Sequence, residues 1–351
     1  MTYDSFQEFS KVATALLQRQ HEYATWSLCI MVVTEATRVL FFGSGSLGTL
    51  IASLLKLRQP QLSIILLGRL SRLHAVLSTG LRVVQPDGST IETPPLPVQE
   101  SFHTAVGDPF DVVFVTCKAV DNHQAVRVME KNNLVGRETK IALVQNGAGN
   151  EEVFSSIVPK EHIYRVVTSE GAFLDNNGQM YHFGPSQTFV GRYFGQNDLF
   201  VETLVNWFNL IEFPTSSSTQ IQREVWTKVL INSAINPLAT LEGVRNGLLL
   251  ERENLRERVE LVVAEIVEVY KRANVPYLTS AEPVEGVWKV VRATASNKCS
   301  MLQDIEGGRK TEIDYLNGRI VEVAQIFGVD VPTNLYLTQQ IKALERGTGE
   351  R

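Results

Sequence analysis

A short apolar run, Arg38–Phe42 (RVLFF), passes directly into Gly43-Ser44-Gly45-Ser46-Leu47-Gly48 and then into an apolar helical stretch, Thr49–Lys56. A bare GxGxxG carries little weight, but strand, glycine turn and helix in that order describe the first βα unit of a dinucleotide-binding fold. The chemistry is that of the backbone. Gly43 permits the tight turn, Gly45 lets the main chain approach a pyrophosphate, and Gly48 lets helix and strand pack closely. Ser44, Ser46 and Leu47 complete a turn that leaves the helix N-terminus aimed at the phosphates. The alternative is a glycine-rich turn in some other α/β protein.

The next strand, Leu62–Leu67, is followed by Gly68-Arg69-Leu70-Ser71-Arg72. A site for NAD(H) would place Asp or Glu near that strand end to hold the ribose 2′-hydroxyl. Two guanidiniums and no carboxylate favour a 2′-phosphate, hence NADP(H), with Arg69 the first choice for the contact and Arg72 the second. Either could instead be a solvated residue at the start of the following helix, Leu70–Ser78. Two further strands, Asp111–Cys117 and Lys140–Gln145, end at Lys118 and Asn146. Open parallel sheets bind ligands at this edge, so both residues are candidates to lie beside cofactor and substrate. A capping or surface role for Lys118 is equally open.

After a helix at Glu151–Ser156 the pattern shifts to strands and turns. Ile163–Thr168, the turn Asn176-Asn177-Gly178, Met180–Phe183 and Thr188–Val190 predict a small antiparallel extension of the sheet. A helix at Leu199–Ile211 follows, and Pro214–Thr219 has the most linker-like composition in the chain. The expected fold is therefore α/β: an extension (1–36), a Rossmann-like dinucleotide-binding domain (37–219) and an all-helical substrate domain (220–351).

Helical periodicity in the last part covers Arg223–Leu241, Asn254–Ala273, Val284–Ala295 and Glu312–Phe327, the last closed by Gly328 with Pro332 beyond. On the first of these helices, Lys228, Asn232 and Asn236 fall at successive i, i+4 steps. They form a polar stripe only ~80° wide among Trp226, Val229, Leu230, Ile231, Ala234 and Ile235. Buried polar groups without partners cost roughly 1–3 kcal/mol each, so this stripe should face something polar and ordered. Snorkelling of Lys228 to water and capping of neighbouring backbone by the two Asn would also account for it. Asn297, Ser300 and Asp304 read as loop and capping residues, and Glu312 as a first-turn acid at a positive helix end.

Composition narrows the class of partner. At 351 residues the chain suits two domains, each with its own core. A net charge of −5, a pI near 5.8 and the lack of any Lys/Arg block argue against nucleic acid or an anionic membrane as partner. Cys29, Cys117 and Cys299 are too few and too dispersed for a disulfide framework, and the six His show no metal-ligand spacing. A reducing compartment, the cytoplasm, is expected. In residues 1–36, Phe6, Phe9, Val12, Ala13, Leu16 and Leu17 share a helical face. The apolar run Ser27–Val33 is well short of the ~18–20 residues that span a bilayer. Lys11 and Arg19 stand against Asp4, Glu8, Glu22 and Glu35, unlike an Arg-rich transit peptide. The segment reads as an accessory helix or a start-site artefact, with organelle targeting the lesser alternative.

Taken together, GSGSLG, Lys118-Ala119, Gln145-Asn146-Gly147, Lys228 with Asn232, Asn236 and Pro237-Leu238, Ser300-Met301-Leu302-Gln303-Asp304 and Thr311-Glu312-Ile313-Asp314 resemble the ketopantoate reductase family over about residues 37–345. The resemblance implies NADPH-dependent reduction of 2-dehydropantoate to (R)-pantoate on the way to pantothenate and coenzyme A. It implies Lys228 as the proton donor and Glu312 as its support. It also implies Asn232, Asn236, Asn297 and Ser300 as substrate-binding positions, Lys118 and Asn146 near both cofactor and substrate, and Arg69 at the 2′-phosphate. The departures are the N-terminal extension and Ser46, where the family usually has Ala. A related NADP-dependent reductase of another 2-oxo acid and a non-catalytic NADP(H)-binding sensor are the competing functions. Assembly as a homodimer is left open, and the partner implied is a small 2-oxo acid.

Overall fold

The computed structural model describes residues 37–68, 73, 74, 76, 78–100, 108–175, 177–184, 186–277 and 282–348. Arg69, Arg72, Asn176, most of the helix expected at Leu70–Ser78 and the readings made on residues 1–36 lie outside the described residues. The chain builds an eight-stranded sheet in the order β12-β11-β8-β7-β6-β1-β2-β5. Its strands are β1 (Arg38–Phe42), β2 (Ser63–Leu67), β5 (Val98–Gln99), β6 (Val112–Val115), β7 (Lys140–Leu143), β8 (Ile163–Val167), β11 (Thr188–Arg192) and β12 (Thr215–Ser217). From β5 to β8 every pairing is parallel. The order reverses at β1 and β6, so the carboxyl ends of these two strands open the crevice where such sheets bind ligands.

Period-two alternation divides the sheet into two buried faces. Val39, Phe41, Val112, Phe114 and Tyr164 point one way, onto helix α1 (Ser46–Arg58) and the later helix Leu199–Leu210. Leu40, Phe42, Val113, Val115, Ile141 and Ile163 point the other way. On that side they share one continuous core with α2 (Asn122–Lys131) and with the helical part of the chain. Strands buried on both faces read as unbroken apolar runs, and hence RVLFF and VVFV were legible as such.

Three readings are corrected by the pairing. Ile163–Thr168 was expected in an antiparallel extension, but β8 continues the parallel sheet on β7. In the main sheet the antiparallel pairing is that of β11 on β8. Met180–Phe183 belongs elsewhere: β10 (Gln179–Phe183) joins β9 (Gly171–Leu174), β3 (Arg82–Val84) and β4 (Thr90–Glu92) in a second, four-stranded sheet. The β10–β3 pairing links segments nearly a hundred residues apart, which local alternation cannot reveal. The linker-like Pro214–Thr219 contains β12, which pairs with β11.

From Ile221 onward the described residues are helical or loop. After α3 (Asn150–Phe154) and α4 (Leu199–Leu210) come α5 (Ile221–Leu241), α6 (Leu248–Glu251), α7 (Glu253–Arg272), α8 (Pro283–Ala293), α9 (Ser300–Glu306), α10 (Asn317–Phe327) and α11 (Pro332–Thr348). The segment read as a loop at 297–304 thus holds α9, capped by Cys299 Sγ, which accepts from Leu302 N at 3.4 Å. Pro332, taken as lying beyond the final helix, begins another. The helix expected at Glu312–Phe327 starts only at Asn317, after a 3₁₀ turn at Ile313–Tyr315. Tyr315 O accepts from Ala148 N at 3.1 Å, so this carbonyl serves a contact to the sheet domain instead of a helical turn.

Helix α5 carries Pro237 in its interior, which removes the N–H that Ser233 O would otherwise accept. The buried Asn317 fills the gap: its Nδ2 donates to Ser233 O and to Asn334 Oδ1, both at 3.0 Å. Asn317→Ala leaves that carbonyl without a donor in a dry site and should lower stability by about 1–3 kcal/mol, read as a lower urea midpoint for the variant than for the parent protein.

Candidate functional site

The carboxyl ends of β1, β6, β7 and β8 meet the helical part across a cleft of about 330 Å³. On the sheet side the cleft is lined by Gly45, Ser46, Leu47 and Gly48 after β1, Thr116 to Lys118 after β6, and Gln145 and Asn146 after β7. Thr168 and Glu170 follow β8. The opposite wall brings Lys228 from α5, Ser300, Gln303 and Asp304 from α9, then Arg309 and Glu312. Residues separated by nearly 270 positions in the chain therefore share one cavity.

Backbone conformation accounts for the turn. Gly43 has φ +117°, a region that disfavours side chains, and a Cβ there would also run into the backbone of Cys117. A Cβ on Gly48 would collide with the side chain of Thr116, whose Oγ1 donates to Gly43 O at 2.7 Å. Helix α1 has neither a side-chain cap nor an acid in its first turn. The dipole of this helix end favours an anion in the cleft.

Glu312 is the join between the two walls. Its carboxylate accepts from Asn146 Nδ2 at 3.1 Å and from Ala119 N at 3.3 Å, the groups that follow β7 and β6. The expectation of a first-turn helix acid is thereby corrected: Glu312 precedes the 3₁₀ turn and reaches across the cleft. Desolvation raises its pKa above the usual carboxylate range, against the hydrogen bonds from Asn146 and Ala119 and the charge of Lys118. Lys118 pairs with Asp304 and donates to Lys310 O at 2.9 Å, and Arg309 Nε lies 3.2 Å from Asp304 Oδ1.

Lys228 donates to Thr168 O. Burial lowers its pKa to about 8, with Arg165 pushing the same way and Glu312 opposing. An amine so placed is an acid able to give up its proton near neutral pH, where an ordinary lysine would hold it. Cys117, also on the cleft wall, is pushed up to about 12 by burial and nearby acids, which leaves its thiol protonated and unreactive.

Of the residues singled out from sequence, Gly45, Ser46, Leu47, Gly48, Lys118, Asn146, Lys228, Ser300 and Glu312 line the cleft together. Gly43 and Ser44 begin the turn behind it. Asn232 and Asn236 lie one and two turns along α5 from Lys228, Asn236 buried, and Asn297 is exposed before α9; these three do not line the cleft. Thr116, Thr168, Glu170 and Arg309 escaped sequence reasoning. For Thr168 and Glu170 the signal existed, since they follow β8 as Asn146 follows β7, but it depended on reading β8 as parallel. Arg309, in a loop after Gly308, had none.

A Rossmann-like sheet whose ligand edge faces a helical domain with a lysine and a glutamate on the opposite wall is the plan of an oxidoreductase. Residues 39–195 match the family model "Ketopantoate reductase PanE/ApbA", and residues 220–345 match its C-terminal companion, "Ketopantoate reductase PanE/ApbA C terminal". A 2-dehydropantoate 2-reductase of Halobacterium salinarum is 36% identical over 88% of this chain and 99% of its own. Among solved structures, 2-dehydropantoate 2-reductase from Geobacter metallireducens superposes with a TM-score of 0.79 at 22% identity, over 87% of this chain and 99% of its own. D-mandelate dehydrogenase with NADH and anilino(oxo)acetate gives 0.79 at 22% identity, over 89% and 99%. The chain belongs to the ketopantoate reductase family.

Because Glu312 raises the pKa of Lys228, Glu312→Gln should move the Lys228 titration to below about 8, measured by NMR of the lysine side-chain signals across pH.

Proposed function

We propose that the protein reduces 2-dehydropantoate to (R)-pantoate with NADPH, and that Lys228 delivers the proton. The observation that carries this reading is the convergence of Lys228, Glu312, Asn146 and Lys118 on one cleft at the ligand edge of the sheet. The glycine turn fits a dinucleotide, with small residues where the main chain must come close and a helix N-terminus for the diphosphate. The absence of a carboxylate after β2, with Arg69 following Gly68, favours the 2′-phosphorylated form. NADPH bound there supplies a hydride to the carbonyl carbon of the 2-oxo acid.

The chain's own residues do the rest. The Lys228 ammonium polarises the substrate oxygen and then gives it a proton, leaving a neutral amine that water reprotonates. Glu312 opposes the desolvation of Lys228 and keeps it charged until that moment. Asn146 is held ready on Glu312. Ser300 on the facing wall is assigned the carboxylate and hydroxyl of the substrate, orientation that adds no charge. In this reading residues 37–219 and 220–351 are the cofactor and substrate domains, and the setting is cytoplasmic. Among the described residues no helix is long and apolar enough to cross a membrane.

The test is NADPH oxidation followed by absorbance, with 2-dehydropantoate beside a panel of other 2-oxo acids, and NADH in parallel. Preference for 2-dehydropantoate with NADPH supports the proposal. Preference for another acid assigns a sister reductase, an alternative to which the fold shared with D-mandelate dehydrogenase lends weight. NADPH binding with no reduction of any acid assigns a sensor. Lys228→Ala should reduce kcat by about 10²–10⁴-fold while NADPH still binds. In the parent protein kcat should be level at neutral pH and fall above about 8, where Lys228 loses the proton it must donate.

A further inference from the structure

Behind the cleft, and not lining it, Arg165 on β8 lies buried against Glu151 of α3. The two side chains are 3% and 0% exposed, with Nε 3.2 Å from Oε1. Arg165 Nη2 also donates to Gln145 O at 3.0 Å and to Gly147 O at 3.1 Å, the carbonyls on either side of Asn146. Glu151 Oε2 in turn accepts from Gly149 N at 3.2 Å, so both members of the pair grip the same loop. Gly147 and Gly149 have φ +86° and +92°, and Asn150 Nδ2 adds a donor to Asn146 O at 3.0 Å and to Gly147 O at 3.4 Å.

We propose that Arg165 is a positioning residue for the reduction: anchored on Glu151, its guanidinium clamps the carbonyls flanking Asn146, so that Asn146 stays on Glu312. A buried ion pair contributes little net stability over apolar replacements, so the case for Arg165 rests on what its fork holds. The fork is what the geometry uses. One planar guanidinium spans two carbonyls and a carboxylate, which an ammonium cannot do.

This inference rests on the reduction proposed above, and its test reads the Asn146 loop without turnover as well as with it. Arg165→Lys keeps the charge and loses the fork. The Arg165→Met/Glu151→Leu double variant removes the clamp and leaves no stranded carboxylate, which protects folding. Arg165→Lys should lower kcat/KM for the 2-oxo acid by about tenfold or more, with the alkaline limb of kcat where the parent has it, and the double variant should lower it at least as far. In the ligand-free protein the Asn146 side-chain amide signals should shift in both variants, by NMR, while the signals of the turn after β1 stay in place. Parent-like kcat/KM or unshifted Asn146 signals in Arg165→Lys overturn the proposal. A parent protein that reduces no 2-oxo acid defeats the functional reading instead, and the Asn146 signals still decide whether Arg165 holds the loop.

Discussion

The site depends on α5 lying directly on one face of the parallel sheet. The helix packs against β8 and β11, and its Trp226, Val229 and Leu230 belong to the same continuous core as Leu40, Val113, Ile141 and Ile163. This seam sets the height of Lys228 over the ends of β6, β7 and β8. The hydrogen bond from Lys228 to Thr168 O and the reach of Glu312 to Ala119 and Asn146 follow from that placement. Polar contacts choose the register; apolar burial holds it.

A seam so close brings charges into a dry space, where each must be answered. Lys118 and Arg309 share Asp304 at the cleft wall, and Arg165 is paired with Glu151 behind it. Lys228 alone among these cations has only a backbone carbonyl as hydrogen-bond partner, with Glu312 acting on it through space. That incomplete compensation moves its pKa down, whereas a direct ion pair would have moved it up and made the proton harder to give. Pairing everywhere else concentrates the chemistry at one amine.

How much of this was legible in the sequence varies with the range of the interaction. The RVLFF strand, its glycine turn and the apolar helix are local, and local periodicity and backbone sterics suffice to read them. The polar stripe on α5 was legible because Lys228 stands among apolar neighbours at helical spacing, yet the stripe could not say which of its members meets the cleft. Glu312 was visible as an acid but placed in the first turn of a helix, since its partners, Ala119 and Asn146, come from strand ends 193 and 166 residues earlier. Arg165 sits inside the apolar run Ile163–Val167 and offered no local sign of a role. Its function lies in carbonyls twenty residues upstream, and main-chain acceptors leave no mark in a sequence.

Pro237 shows the same division from the opposite side. Locally it opposes a helix, by about 3 kcal/mol in a helix interior, and by periodicity alone α5 still runs through it to Leu241. The helix continues because the burial of its flanks outweighs the lost bond and because Asn317, on a different helix, supplies the missing donor. Asn317 also donates to Asn334, whose own N–H and side-chain amide are held by Glu265 at 2.9 and 2.8 Å. The break in α5 is thus tied through α10 and α11 to α7. The helix bearing Lys228 is anchored on the sheet by its apolar face and braced, one turn past Asn232, by a polar network that begins at its weakest peptide.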